Sequence, residues 1–156
     1  MKFDIQPGVG VGSLRFGMTP DEASAEAGPA ETTRVLRYPG ATKTELRWSY
    51  KRGIHIVFSQ PIETARLVEL GFWKACRTLS YKGVRVFQTK DRMEVVRAMA
   101  ADDPSPMELS SFLIFPKLGI TLSGFHDARE NDIAVTVFEP GRWDEQLPRM
   151  KPYKLP

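Results

Sequence analysis

At 156 residues, 42% hydrophobic and 26% charged, the chain has the size and composition of one ordinary globular domain. Those values exclude a disordered polymer and a domain too small to form a core without disulfides or metals. The 22 Lys and Arg against 19 Asp and Glu leave a formal charge of +3, scattered along the chain, which is weak for a nucleic-acid binder. What basic bias there is lies in the first half, with 11 basic and 8 acidic residues up to residue 78 and 11 of each after it.

The first eighteen residues contain no continuous apolar stretch, since Asp4 and Pro7 interrupt it where a signal peptide needs one. No apolar run approaches the roughly 20 residues of a membrane span. A cytoplasmic protein with no membrane partner is therefore expected. Cys76 is the one cysteine and has no metal-ligand spacing around it, so it is read as a small, partly buried residue. Neither metal nor organic cofactor is expected.

Pro7 to Gly12 is a glycine-rich approach to the apolar pair Leu14 and Phe16. A phosphate-cradling loop would need a preceding strand and a following Gly-Lys-Ser/Thr, and both are missing. Thr19-Pro20-Asp21-Glu22 then starts a helix: Thr19 suits the N-cap, Pro20 the first helical position, and the two acids favour the positive end of the helix dipole. Gly28-Pro29 ends that helix. Alternation and turn residues predict strands over 33–38, 45–50, 53–58 and 65–72.

Seventy positions on, Val84-Arg85-Val86 aligns with Leu14-Arg15-Phe16, and Thr89-Lys90-Asp91 with Thr19-Pro20-Asp21, without a gap. Met93, Val95, Val96 and Met99 supply the apolar positions of a second helix. Strands are predicted at 110–115, 119–122 and 133–138, now offset by 66: Gly53-Ile54-His55-Ile56 aligns with Gly119-Ile120-Thr121-Leu122, and Phe72 with Phe138. The preserved order predicts an internal duplication within a single α+β domain, 1–156, with a first unit at about 7–78, a second at about 79–140 and a proline-rich tail, 141–156. The two tandem units are expected to join into one continuous sheet with the helices on one face and the other face open. The tail is expected to be an extended strap or a loose end.

Three groups of residues compete for function. His126-Asp127, with Glu130 and Asp132 nearby, is the densest titratable cluster and is the candidate for an acid, a base or a ligand site; its Gly, Asp and Asn content equally fits a solvated hairpin loop. His55 alternates with Ile54 and Ile56 and reads as an ordinary polar partner on a sheet face. The stretch 34–52 interleaves Arg34, Arg37, Lys43, Arg47, Lys51 and Arg52 with Tyr38, Trp48 and Tyr50. Arg beside large aromatics dominates protein interfaces and also suits stacking on single-stranded nucleic acid; the plain alternative is that the aromatics are core and the charges a solvated face.

The segment Gly10-Val11-Gly12-Ser13-Leu14-Arg15-Phe16-Gly17-Met18-Thr19-Pro20-Asp21-Glu22, ending in Ala27-Gly28, resembles the opening of the β-lactamase-inhibitor-protein-like module. Outer-membrane assembly lipoproteins of the SmpA/OmlA type carry that module as a single copy. The second unit departs from the phrase, with Phe87 and Gln88 in place of Gly17 and Met18, and no lipobox cysteine stands near the N-terminus. The resemblance implies helix-and-sheet units, duplicated side by side, whose exposed sheet face binds another protein, as bacterial immunity proteins also do. The reading is a non-enzymatic binding protein that neutralises a toxin or enzyme, using Arg37, Tyr38, Arg47, Trp48, Tyr50, Lys51 and His126. The alternative is a small enzyme or ligand-binding domain built on the His126-Asp127 loop, and nucleic-acid binding ranks third.

Overall fold

The computed structural model describes residues 2–37, 43–127 and 133–156. Three short strands open the chain, β1 (Phe3–Gln6), β2 (Gly10–Val11) and β3 (Leu14–Arg15), followed by α1 (Pro20–Ala27) and four longer strands, β4 (Thr32–Arg37), β5 (Thr44–Tyr50), β6 (Ile54–Ser59) and β7 (Leu67–Trp73). The order then recurs as a short hairpin, β8 (Leu79–Tyr81) and β9 (Val84–Arg85), α2 (Arg92–Ala100), and four strands, β10 (Met107–Leu109), β11 (Phe112–Phe115), β12 (Ile120–Ser123) and β13 (Ala134–Phe138). A 3-10 helix, Asp144–Arg149, and β14 (Lys151–Pro152) complete it. The fold is α+β and mostly strand, in two sheets where the sequence predicts one: nine strands in the order β14-β10-β11-β12-β13-β7-β6-β5-β4, and five short ones in the order β3-β2-β1-β8-β9.

The first helix forms where its caps require. Thr19 accepts from the Glu22 amide at 3.2 Å while the Glu22 carboxylate accepts from the Thr19 amide at 3.1 Å, a reciprocal capping box. The second begins two residues later than the internal alignment implies, because Asp91 is the N-cap, accepting from the Met93 amide at 2.9 Å. Thr89 instead donates to the Glu94 carboxylate at 2.7 Å. The strand predicted at 110–115 is β11 and starts two residues later, because Ser110 adopts φ 54° and turns the chain between β10 and β11. Ser-Ser carries none of the Asn-Gly signal that would expose such a turn in sequence.

In the large sheet the register sorts side chains onto two faces. Leu46, Tyr50, Ile54, Ile56, Leu70, Phe72, Leu122, Val135 and Val137 point to the inner face. They share one core with Ala23 and Ala27 of α1, Val95, Val96 and Met99 of α2, and Phe3, Val11, Leu14, Leu79 and Tyr81 of the small sheet. The two helices and the small sheet thus cover the inner face. The outer face carries a second, smaller buried set, Val57, Ile114, Phe138 and Met150, which stands outside that core.

That second set exists because the C-terminal segment crosses the outer face. Trp143 stacks on Phe138 with ring centroids 5.5 Å apart and meets Phe112 edge-on at 6.3 Å. Arg142 forms a two-pronged pair with Glu45 at 2.6 and 2.8 Å and donates from Nε to Glu69 at 3.0 Å. The segment then rounds the sheet edge, where β14 pairs with β10, and Tyr153 ends on the inner side against His126. It is a strap, and the sheet face expected to be open is covered over its β10–β13 half.

Leu70 is fully buried at the middle of the inner face. Leu70→Ala should cost about 3 kcal/mol of unfolding free energy in urea titrations, from lost transfer energy and an incompletely filled cavity, while Val35→Ala, at a 54% exposed position, should change it by less than about 0.5 kcal/mol.

Candidate functional site

The uncovered part of the outer face lies over β4 to β7 and the neighbouring end of β13. Strand pairing aligns two rows there. One starts with Arg34 and Arg47 and passes under the strap through Val57, Glu69 and Phe138; the next runs Thr32, Ser49, His55, Gly71 and Thr136. The His55 ring packs against Trp73 at a tilt of 55°, with ring centroids 4.5 Å apart. Gly71 lies directly opposite His55, where an added Cβ would meet the His55 Cβ at 3.4 Å, an ordinary van der Waals contact. Arg34 is exposed and Arg47, Ser49, His55, Gly71 and Trp73 are half-buried, forming a surface with an aromatic floor and a cationic side.

The electrostatics of this face are uneven. Both carboxylates that rise from it, Glu45 and Glu69, are taken by Arg142. Burial works against the Arg142 charge, but the hydrogen bonds from Glu45 and Glu69 outweigh it and raise its pKa. Arg47 has no such partner among the described residues, and its Nε is buried without a hydrogen bond. Burial, and then the nearby Arg47 charge, push His55 down to about 4, so its ring is neutral at pH 7.

The residues singled out in the sequence do not converge on this surface. Arg47 belongs to it. Tyr50 points the other way and is 2% exposed; its hydroxyl donates to the Gly28 carbonyl at 2.9 Å, and Arg52, stacked 4.9 Å over the Tyr50 ring, donates to the Ala27 carbonyl. Tyr50 and Arg52 therefore close the C-terminal end of α1. Trp48, also on the inner side, packs edge-on against Phe58 at 4.7 Å. Arg37 is exposed at the end of β4 with the same parity as Trp48, and Lys51 is exposed in the β5–β6 turn, its amide donating to Glu31. Tyr38 lies outside the described residues.

His126 lies in the β12–β13 connection, as expected, but its side chain is not solvated. Its side chain is 4% exposed, its Nε2 lies 3.0 Å from the Glu108 carboxylate, and Tyr153 closes over the ring at 5.1 Å. The pair anchors the end of the strap. Glu130 and Asp132 lie outside the described residues, and among the described residues there is no group of three or more metal-capable side chains. Cys76 is 3% exposed, and burial raises its thiol pKa, which keeps it protonated.

What reading along the chain misses is Trp73 and Gly71; His55 is read only as a polar partner on a sheet face, and Arg34 only as one of the basic residues of 34–52. A signal exists: His55 in 54–58 and Gly71 and Trp73 in 67–73 fall out of phase with most of the buried residues, so parity alone puts them on the opposite face. Their adjacency depends on the register between strands, which parity does not supply. Comparison with protein-family models, with curated proteins and with solved structures yields no significant match.

Two measurements follow from this geometry. Arg142→Ala leaves Glu45 and Glu69 side by side without a counter-charge and should cost roughly 2–3 kcal/mol, at the low end for a broken buried pair because 16–19% of each side chain is exposed. His55 has a folded pKa of about 4 against an ordinary 6.5, so between those values the unfolded chain binds the extra proton. The His55 contribution to stability is therefore complete above pH 6.5, falls as the pH drops towards 4, and levels off below that. Melting curves across pH 4 to 7 should show a smaller slope for His55→Gln than for the wild type.

Proposed function

We propose that the protein is a non-enzymatic binding module of the immunity or inhibitor type, which neutralises a toxin or enzyme by covering it with the uncovered part of the outer sheet face. The observation that carries this reading is the His55–Trp73 ring contact, half-buried beside Arg34, Arg47 and Ser49 on an antiparallel sheet. Trp and Arg set in a partly desolvated surface are the residue types that concentrate binding energy in protein interfaces. A surface built on sheet backbone also loses little conformational freedom on binding.

The repeated order of hairpin, helix and four-stranded meander supports reading the chain as two tandem units related by duplication. On this reading the units meet at β7 and β13, the last strand of each meander, and the binding face belongs mainly to the first. The resemblance of 10–28 to the inhibitor-protein-like module points in the same direction. Arg47 is the member of the expected partner-binding set that this reading keeps; Tyr50 and His126 act within the fold. The net charge of +3 argues against a nuclease as the target, because inhibitors of nucleic-acid enzymes present acidic faces.

Affinity capture from native lysate of the source cells should recover one stoichiometric protein with the wild-type chain and less than a tenth as much with Trp73→Ala, while Lys51→Ala, in the turn at the end of the sheet, captures normally. Absence of a stoichiometric partner, or capture that ignores Trp73, would defeat the proposal.

A further inference from the structure

Within the proposed binding face, Arg34 and Arg47 stand directly opposite each other on β4 and β5. Side chains so paired have their Cβ atoms about 5 Å apart, and like charges there repel. Among the described residues neither guanidinium has an acidic partner, and the Arg47 Nε is buried with its hydrogen bond unmade. Opposite charges, or none, are the more stable choice at such positions. The two acids on the same face are spoken for, both held by Arg142. The neutral His55 does not supply the missing negative charge either, and with Trp73 it forms an apolar floor at the edge of the pair.

We infer that this Arg34–Arg47 pair is a receptor for one carboxylate of the partner protein, an Asp or Glu on a protruding segment whose neighbouring apolar side chain lies on the His55–Trp73 floor. A carboxylate accepts from a planar guanidinium through two parallel hydrogen bonds, here from the terminal nitrogens of the pair because the Arg47 Nε is itself buried, and relieves the like-charge repulsion. The inference rests on the binding-face reading above and specifies the chemistry that face selects. A single carboxylate fits better than a phosphate chain: the positive charge is confined to two side chains, and Glu45 and Glu69 rise from the same face, where a continuous polyanion would meet them.

The test uses the whole protein, labelled with 15N, and two capped pentapeptides, Ala-Leu-Asp-Phe-Ala and its Asn counterpart. The Asp peptide should shift the Arg47 Nε–H and Trp73 indole N–H signals and bind at least fivefold more tightly than the Asn peptide. Arg47→Gln should abolish that preference and melt no lower than the wild type, since it removes a like-charge pair. Equal binding of the two peptides, no shift at Arg47, or a marked loss of stability in Arg47→Gln would overturn the carboxylate receptor. Tighter binding of a ten-nucleotide single-stranded thymidine oligomer at the same signals would overturn it in favour of nucleic acid. Failure here with capture still dependent on Trp73 would leave the binding face standing, whereas Asp-selective binding with capture indifferent to Trp73 would sink the face and keep the pocket.

Discussion

The antiparallel pairing of β7 with β13 is the constraint on which the rest of the structure depends. Five residue pairs, from Ala134 with Trp73 to Phe138 with Glu69, join two four-stranded meanders into one sheet. The pairing aligns Phe72 with Val135 and Leu70 with Val137 on the inner face, so both helices and the small sheet bury one continuous apolar surface. A slip of one residue would turn that whole set outward. The same register sets Gly71 beside Thr136 and Trp73 beside Ala134 on the outer face. Small neighbours on that side leave the His55–Trp73 ring contact accessible. Core and candidate binding surface are thus two sides of a single ladder.

Covering an antiparallel sheet on one side only leaves the other to water, and this chain treats its outer face in two ways. Over β11 and β13 the outward residues are apolar, Ile114 and Phe138, and the strap with Trp143 and Met150 shields them. Over β5 and β6 they include Arg47, Ser49 and His55, which tolerate solvent, beside the buried Val57. Arg142 stands at the boundary, and its double attachment to Glu45 and Glu69 fixes how far the strap reaches across the sheet. The division gives the exposed half a definite edge.

Local chemistry made much of this fold legible in advance. Thr19, Pro20 and Glu22 declare the start of α1 because a capping box is complete within four residues. Alternation in 44–50 and 54–59 declares strands because the inner face is buried and the outer is not. The elements that escaped are those whose signal is not local. β1 and β14 are short and acquire strand geometry from distant partners, Leu79 and Ser80 in one case and Met107 and Glu108 in the other. The β10–β11 turn rests on Ser110 in a conformation its residue type does not advertise. The candidate site was legible only in part for the same reason. Composition drew attention to 34–52, but strand parity then divides that stretch, sending Trp48 and Tyr50 inward and Arg47 outward, and the partners of Arg47 come from β4, β6 and β7.

The strap also has a kinetic meaning. Glu45 and Glu69 are made early, and their shared counter-charge, Arg142, follows 97 residues after the first and 73 after the second. During synthesis the first meander therefore passes through a stage in which two acids crowd one face and β7 is an unpaired edge awaiting β13. Edges of that kind are sites of unwanted strand addition. Loop-closure entropy grows slowly with length, so the late contacts are thermodynamically accessible but formed last. The clasp that completes the outer surface thus depends on residues made late in the chain: until Arg142 reaches Glu45 and Glu69, the chain has no sharply bounded face to offer a partner.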